Sequence, residues 1–318
     1  MEEEKTSRNL DGCGKCSYNE ESKSEEVTGK MVKDTFLLSN GMVIPSVGFG
    51  TYNPAGGDTC KIILNAMEAG YRYFDTASLY GTERALGQAV KESGMARSEL
   101  ILASKVWIDE MGYAETKQAF ERTLNRLQTE YLDLYLIHWP RRTENDTDWK
   151  ERDLETWRAM EELYTEGKIK GLGLSNFLPH HLENILENAK VKPVVNQLEL
   201  HPGYMQGAAV AECDRHNILA QAWSPLGRSR LLEDALLKKM AEKYGKSAAQ
   251  ICLRFLLQKK IQPLVKASTI ERMKDNLNVF DFEISREDMS LLECMPQTAW
   301  SEEHPDFAIP KAKSNFEQ

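Results

Sequence analysis

Residues 71–81 read Tyr-Arg-Tyr-Phe-Asp-Thr-Ala-Ser-Leu-Tyr-Gly, and the fold turns on how this stretch is taken. It opens as a short β-prone apolar run and ends at an acid, a hydroxyl-rich turn and a tyrosine before glycine. A buried strand that delivers an Asp, and a Tyr five residues later, to its C-terminal end is how a β/α barrel builds a site at its mouth. The plainer reading is a strand that simply stops at Asp and Thr. The flanking chain decides between them.

Upstream, Phe36-Leu37-Leu38 and Met42-Val43-Ile44-Pro45 flank Asn40-Gly41, which predicts a small hairpin. Val47–Gly50 follows as a short buried strand. Asp58 is placed to cap a helical run that stops at Gly70. Downstream the alternation continues, with strands expected at 71–75, 99–105, 132–138, 168–174, 193–198, 217–223 and 261–266. Helical patterns fall between them at 82–92, 114–127, 153–166, 179–188, 206–216, 234–258 (broken at Gly245-Lys246-Ser247) and 269–278, with a final one at 285–294. Eight strands alternating with helices over about 250 residues imply a (β/α)8 TIM barrel with an N-terminal β-hairpin and an extra C-terminal helix. A doubly wound sheet is the alternative built from the same alternation.

The whole chain has 318 residues, 41% hydrophobic and 28% charged, with a net charge of −9. That acidity speaks against nucleic acid as a partner, because phosphate neutralisation needs a basic face. No apolar run approaches the ~20 residues of a membrane helix. Residues 1–33 are rich in Glu, Lys, Ser and Gly and are read as a disordered tail, leaving 34–318 as a single barrel domain. The acidic start does not read as a secretory signal, and six scattered cysteines lead us to expect a reducing, cytoplasmic setting. Cys13 and Cys16 form a lone CxxC in the tail, a weak sign of metal or redox chemistry.

Strand ends in a barrel share one mouth, and here three adjacent ends carry polar residues that a bare barrel does not need: Asp75 with Tyr80 after it, Ser104-Lys105, and His138-Trp139-Pro140. Their chemistry is mutually explanatory. A phenol is a poor acid at neutral pH, and a nearby ammonium is expected to lower its pKa. A buried lysine needs a carboxylate to stay charged, and Asp75 is available. A histidine can hydrogen-bond the phenol or a substrate oxygen. Together they make a tuned general acid. No Ser or Cys is paired with the His to form a nucleophile, and Tyr and Lys do not suit a metal. His180-His181, adjacent on a helix, are expected to point apart at a solvated helix start.

These residues resemble the aldo-keto reductase family over about residues 34–310. The motifs that carry the resemblance are Phe74-Asp75-Thr76-Ala77 with Tyr80-Gly81, Ser104-Lys105, and Asp133-Leu134-Tyr135-Leu136-Ile137-His138-Trp139-Pro140. Gly173-Leu174-Ser175-Asn176-Phe177, Val195-Asn196-Gln197 with Glu199-Leu200-His201-Pro202, and Trp223-Ser224-Pro225-Leu226-Gly227 complete them. The resemblance implies a monomeric barrel that reduces aldehyde or ketone carbonyls to alcohols with NADPH. Tyr80 is then the general acid, assisted by Lys105, Asp75 and His138. No GxGxxG follows a strand, as expected of a family that uses no Rossmann domain.

Cofactor positions carry over in the same way. Ser175, Asn176 and Gln197 match the residues that hold the nicotinamide amide. Trp223 matches the aromatic that stacks on its ring, with Ser224 and Leu226 as further contacts. Trp in place of the more usual Tyr resembles the bacterial-type 2,5-diketo-gluconate reductase branch. Lys266, Ser268, Thr269, Arg272 and Asn276 match the segment that grips the 2′-phosphate, where cations meet a helix N-terminus. Ala267 departs from the family's frequent Ser, which leaves NADH use open. Tyr52, Trp107, His138 and Trp139 are expected to line the substrate pocket, with the loop after Gly227 and the segment around Trp300.

Two competitors come from other quarters. Tyr164-Thr165-Glu166-Gly167-Lys168 has the YxxxK spacing of short-chain dehydrogenases, but its glycine marks a helix end. A non-catalytic NADP(H)-binding regulatory barrel is the alternative of a different class.

Overall fold

The computed structural model describes residues 31–32, 34–52 and 57–310. Residues 1–30, with Cys13 and Cys16, lie outside them. The described chain opens on a three-stranded antiparallel sheet of β1 (Met31–Val32), β2 (Thr35–Leu37) and β3 (Val43–Pro45). The backbone pairing of Met31 with Phe36 brings two residues of the stretch read as tail into this sheet. The expected Asn40-Gly41 turn joins β2 to β3, with Gly41 at φ 86°, a value glycine adopts without strain.

Eight strands follow and close on themselves. They are β4 (Gly48–Gly50), β5 (Tyr73–Asp75), β6 (Ile101–Val106), β7 (Leu132–Ile137), β8 (Ile169–Ser175), β9 (Val195–Glu199), β10 (Leu219–Trp223) and β11 (Gln262–Val265). Their order is β10-β11-β4-β5-β6-β7-β8-β9, a closed barrel with every pair parallel. Each falls within two or three residues of its expected limits.

The outer layer is α1 (Thr59–Ala69), α2 (Glu83–Ser93), α3 (Tyr113–Leu127), α4 (Trp149–Thr165), α5 (Pro179–Asn188), α6 (Gly207–Arg215), α7 (Ala235–Tyr244), α8 (Ala248–Gln258) and α9 (Ile270–Leu277). The extra helix α10 (Arg286–Glu293) ends the series. Local signals set the boundaries. The Asp58 carboxylate accepts from Lys61 N, and Gly70 ends α1 in the left-handed region. Gly245 and a Ser247–Gln250 capping box split α7 from α8. Tyr164 lies inside α4 and Lys168 beyond its end, so the YxxxK pair does not share a helix face.

The barrel interior is filled by side chains, and one glycine makes room for them. A Cβ on Gly173 would lie 2.5 Å from Val195 and 2.8 Å from Leu136. The hairpin covers the N-terminal end: the Asn40 side chain donates to Lys170 O near the start of β8, and the Gln262 amide donates to Pro45 O. That leaves the opposite end, where the strands terminate, as the open mouth.

Candidate active site

Strand β5 carries Asp75 to the mouth, and a 3-10 turn, Ser78–Tyr80, closed by Gly81 at φ 68°, folds Tyr80 back over it. The turn is pinned by a hydroxyl chain, Thr51–Thr82–Thr76, with both contacts at 2.9 Å. Ser78 Oγ adds a 2.6 Å bond to the buried Glu110. Strand β6 alternates its side chains, so neighbours with similar prospects in sequence diverge. Lys105 points inward and Ser104 outward, where its hydroxyl donates to Glu83 on α2 at 2.7 Å.

Lys105 is fully buried. Its Nζ donates to Asp75 Oδ1 at 2.6 Å and to Thr76 O at 2.9 Å. Burial lowers its pKa and the Asp75 carboxylate opposes that, the arrangement expected from the sequence. Tyr80 Oη lies 3.5 Å from His138 Nε2, and the Lys105 ammonium sits 5.0 Å from the Tyr80 ring centroid. Asp75, Tyr80, Lys105 and His138 are thus brought together.

One expectation is reversed. The ammonium was expected to lower the Tyr80 pKa, yet burial pushes that phenol well above its ordinary value, with Asp75 adding to the rise. The Lys105 charge is paired with Asp75, and burial outweighs it at the phenol. His138 is held well below the usual histidine range by burial and then by Lys105, so it is neutral at physiological pH. Its Nδ1 and the indole Nε1 of Trp107, whose ring meets the His138 ring edge-on at 5.0 Å, have no hydrogen-bond partner among the described residues.

The Tyr52 ring packs 5.0 Å from that of Tyr80 and is half exposed at the rim. Trp139 is buried beyond His138. Across the mouth, the Asn176 amide, held at φ 64°, donates to His138 O and Ser175 Oγ and accepts from Trp223 Nε1 at 2.9 Å. Gln197 Nε2 donates to Asp75 Oδ2 at 3.0 Å, a link between a residue expected only as a cofactor ligand and the Lys105–Asp75 pair. Ser224, at φ 48°, accepts through its carbonyl from Gly227 N, and Leu226 is half-buried beside them.

At the end of β11, Thr269 caps α9 through Arg272 N, which confirms the expected helix start after Lys266 and Ser268. Arg272 is exposed and Asn276 buried, and burial lowers the Lys266 pKa. The chain after Trp300 runs back to the rim. Arg228 pairs with Glu303 at 3.0 Å, Arg230 donates to Ala299 O and Trp300 O, and the Glu303 charge is felt at Tyr80.

His180 and His181 do not point apart. Their rings lie 3.9 Å centroid to centroid, and their Nε2 atoms approach the same Asp306 oxygen at 3.2 and 3.0 Å. They occupy the first turn of α5, where the returning C-terminal segment crosses it. The three side chains have the spacing of metal ligands. However, Leu178 N–H donates to His181 Nδ1, which leaves the proton on Nε2, and Arg141 also holds Asp306 Oδ1 at 3.1 Å. A metal would have to displace both, so the group reads as a clasp.

The family model described as Aldo/keto reductase family matches residues 46–295. The chain belongs to this family. Its members are oxidoreductases that use NADP(H), and so is the enzyme class of this chain. It is 42% identical over 276 residues to glyoxal reductase of Bacillus subtilis, covering 86% of this chain and 97% of that protein. Among solved structures it is similar to an aldo/keto reductase from Brucella melitensis, with a TM-score of 0.77, 40% identity, and coverage of 81% of this chain and 98% of that one. An aldo-keto reductase of Bombyx mori in complex with NADP is 29% identical with a TM-score of 0.77, covering 86% and 98%. Among the described residues no helix is long and apolar enough to cross a membrane.

Proposed function

We propose that this chain reduces small aldehydes or ketones to alcohols with NADPH, as a cytoplasmic monomer, with Tyr80 as the proton donor. The observation that carries this reading is the phenol of Tyr80 set between His138 Nε2 and a buried Lys105–Asp75 pair.

The residues at the mouth suit a nicotinamide. Gln197 has spent its amide hydrogens on Asp75 and Gln221, and its Oε1 has no partner among the described residues. Ser175, Asn176 and Gln197 would hold the carboxamide, Trp223 the ring face, and Ser224 and Leu226 the neighbouring linkage. Lys266, Ser268, Thr269, Arg272 and Asn276 would take the 2′-phosphate end. Ala267 brings no hydroxyl to that end, so NADH is an accepted but weaker substitute. When bound, the reduced nicotinamide supplies the hydride to the carbonyl carbon.

The protein's part is the proton. Tyr80 is protonated at neutral pH, as a phenol of ordinary or raised pKa is. An alkoxide is a stronger base than a phenolate, so Tyr80 still gives its proton readily as negative charge grows on the carbonyl oxygen. Lys105 then faces the phenolate, and Asp75 holds the ammonium in place. Neutral His138 donates from Nε2 to the phenol oxygen, which leaves the phenol hydrogen for the substrate. Solvent returns the proton afterwards. Tyr52 stands at the rim of the pocket, and Trp139 with the fully buried Trp107 packs behind His138 and keeps water out.

The test is NADPH oxidation with a panel of aldehydes and keto acids, wild type beside Tyr80→Phe. The wild type turns over, and the variant loses about 10²–10⁴-fold in kcat with cofactor binding retained. A wild type that binds NADPH but oxidises it with no carbonyl would favour the non-catalytic barrel, and an unimpaired Tyr80→Phe would move the acid elsewhere.

A further inference from the structure

Below the catalytic pair, a row of three glutamines crosses the barrel interior. Gln197, Gln221 and Gln262 sit on β9, β10 and β11 as Cα partners in register, and none is more than 1% exposed. Branched apolar residues ordinarily fill such positions. Three buried amides in one tier are costly unless each is satisfied, and here, among the described residues, each is paired except at Gln197 Oε1. Gln262 Nε2 donates to Pro45 O at 2.6 Å. Gln221 Nε2 donates to Gln262 Oε1 at 2.5 Å and to Tyr73 Oη at 2.9 Å. Gln197 Nε2 donates to Gln221 Oε1 at 3.4 Å and to Asp75 Oδ2 at 3.0 Å.

The direction of this chain is fixed at both ends. Pro45 O can only accept, so Gln262 must turn its NH2 toward the hairpin and its carbonyl toward Gln221. Asp75, paired with the Lys105 ammonium, is likewise an acceptor. Reversing any one amide would set two carbonyl oxygens against each other in a dry interior. The consequence reaches the mouth: both hydrogens of Gln197 are committed inside the barrel, and only its Oε1 is left to meet a ligand.

We infer that Gln221 and Gln262 are positioning residues that, together with Asp75, hold the Gln197 amide as a pure acceptor, so that the site selects a pyridine ring whose substituent carries an N–H donor. The inference rests on the reading of Gln197 as a ligand of the nicotinamide carboxamide. Neither Gln221 nor Gln262 needs to touch the cofactor. Their effect is confined to the carboxamide end and does not extend to the phosphate end at Lys266 and Arg272.

Three ligands separate these effects in binding titrations followed by tryptophan fluorescence. NADPH has a carboxamide donor, its 3-acetylpyridine analogue has no N–H there, and 2′-phospho-ADP-ribose lacks the ring. In the wild type NADPH binds about 3- to 10-fold more tightly than the acetyl analogue, the worth of one hydrogen bond. Gln221→Met, close to the original shape, leaves Asp75 as the one group holding the Gln197 amide, so it lowers that preference and leaves 2′-phospho-ADP-ribose within about twofold. Gln262→Met, one amide further away, acts in the same direction but less, and serves should Gln221→Met fail to fold. The inference is overturned if the variants keep the preference, if they weaken all three ligands alike, or if the wild type shows no preference. A wild type that binds 2′-phospho-ADP-ribose but not NADPH would instead remove the assignment of Gln197 beneath it.

Discussion

Strand β6 makes two polar contacts from consecutive residues, and the two sides of the barrel wall use charge in opposite ways. On the outside, Ser104 and Arg126 close on Glu83, a carboxylate only 1% exposed. On the inside, Lys105 closes on Asp75. The outer cation is an arginine, whose guanidinium never deprotonates and whose planar fork suits a fixed ion pair. The inner one is a lysine, whose pKa burial lowers while a carboxylate opposes the change. Arginine stands where a charge is only to be held. Lysine stands where, on the proposed reading, the field next to a reacting phenol matters.

The sharpest way to break that contrast is to neutralise one member on each side. Lys105→Met leaves Tyr80 without the cation that faces its phenolate, and kcat should fall about 10²–10⁴-fold. It also strands Asp75, whose buried charge is relieved by the double variant Lys105→Met/Asp75→Leu, restoring stability without activity. Glu83→Gln should do the reverse. Losing its charged hydrogen bonds costs about 1–3 kcal/mol, or several degrees in the melting temperature, with kcat within about threefold of wild type. Steady-state kinetics beside thermal melts decide the matter. If Glu83→Gln lost as much turnover as Lys105→Met, the wall would not separate the two roles.

Of middling size is the effect expected at the rim. Lys266 is a lysine placed, on this reading, for a bound phosphate, and Lys266→Ala should raise the apparent KM for NADPH about 10-fold or more. The value for NADH should move little, because it has no 2′-phosphate to lose. Equal changes for the two cofactors would remove the phosphate from that end of the site.

What the sequence could and could not disclose follows the same division between local and distant causes. Strands such as Leu132–Ile137 were legible because a short apolar run bounded by turn signals has few alternatives. The grouping of Asp75, Lys105 and His138 was legible because they fall at strand ends, which a barrel must bring together. The direction of the Tyr80 shift was not, because it depends on how completely the phenol is dried. Gln221 was read as one residue of a strand, Asn-Ile-Leu-Ala-Gln-Ala-Trp. An amide in that apolar company was the available signal, but the partners that give it meaning are on β5, β9 and β11. His180 and His181 failed for a related reason. Helical periodicity sets adjacent residues about 100° apart, yet it is silent on a segment arriving from Asp306 to gather both rings.

That clasp offers the smallest effect and extends the contrast to a third site. Asp306 Oδ1 is held by the Arg141 guanidinium and approached by the Nε2 atoms of His180 and His181. His304 also faces the group, its Nδ1 accepting from Asp306 N, and burial lowers its pKa as well. Burial, with the positive field of His180 and Arg141, lowers the His181 pKa to about 3. Burial works to raise the Asp306 carboxyl, but the two histidines and Arg141 outweigh it and hold it below its ordinary value. Both folded values lie below the unfolded ones, so both groups add stability at neutral pH. The His181 share begins to fade below about pH 6.5, and the Asp306 share only once the pH nears the carboxylate range. Between pH 7 and 5 the wild type should therefore lose about 2–5 °C more in melting temperature than His181→Asn, whose side-chain oxygen can still accept from Leu178 N. Parallel curves would show that the histidines only fill space, and that Arg141 alone ties the C-terminal segment to the rim of the site.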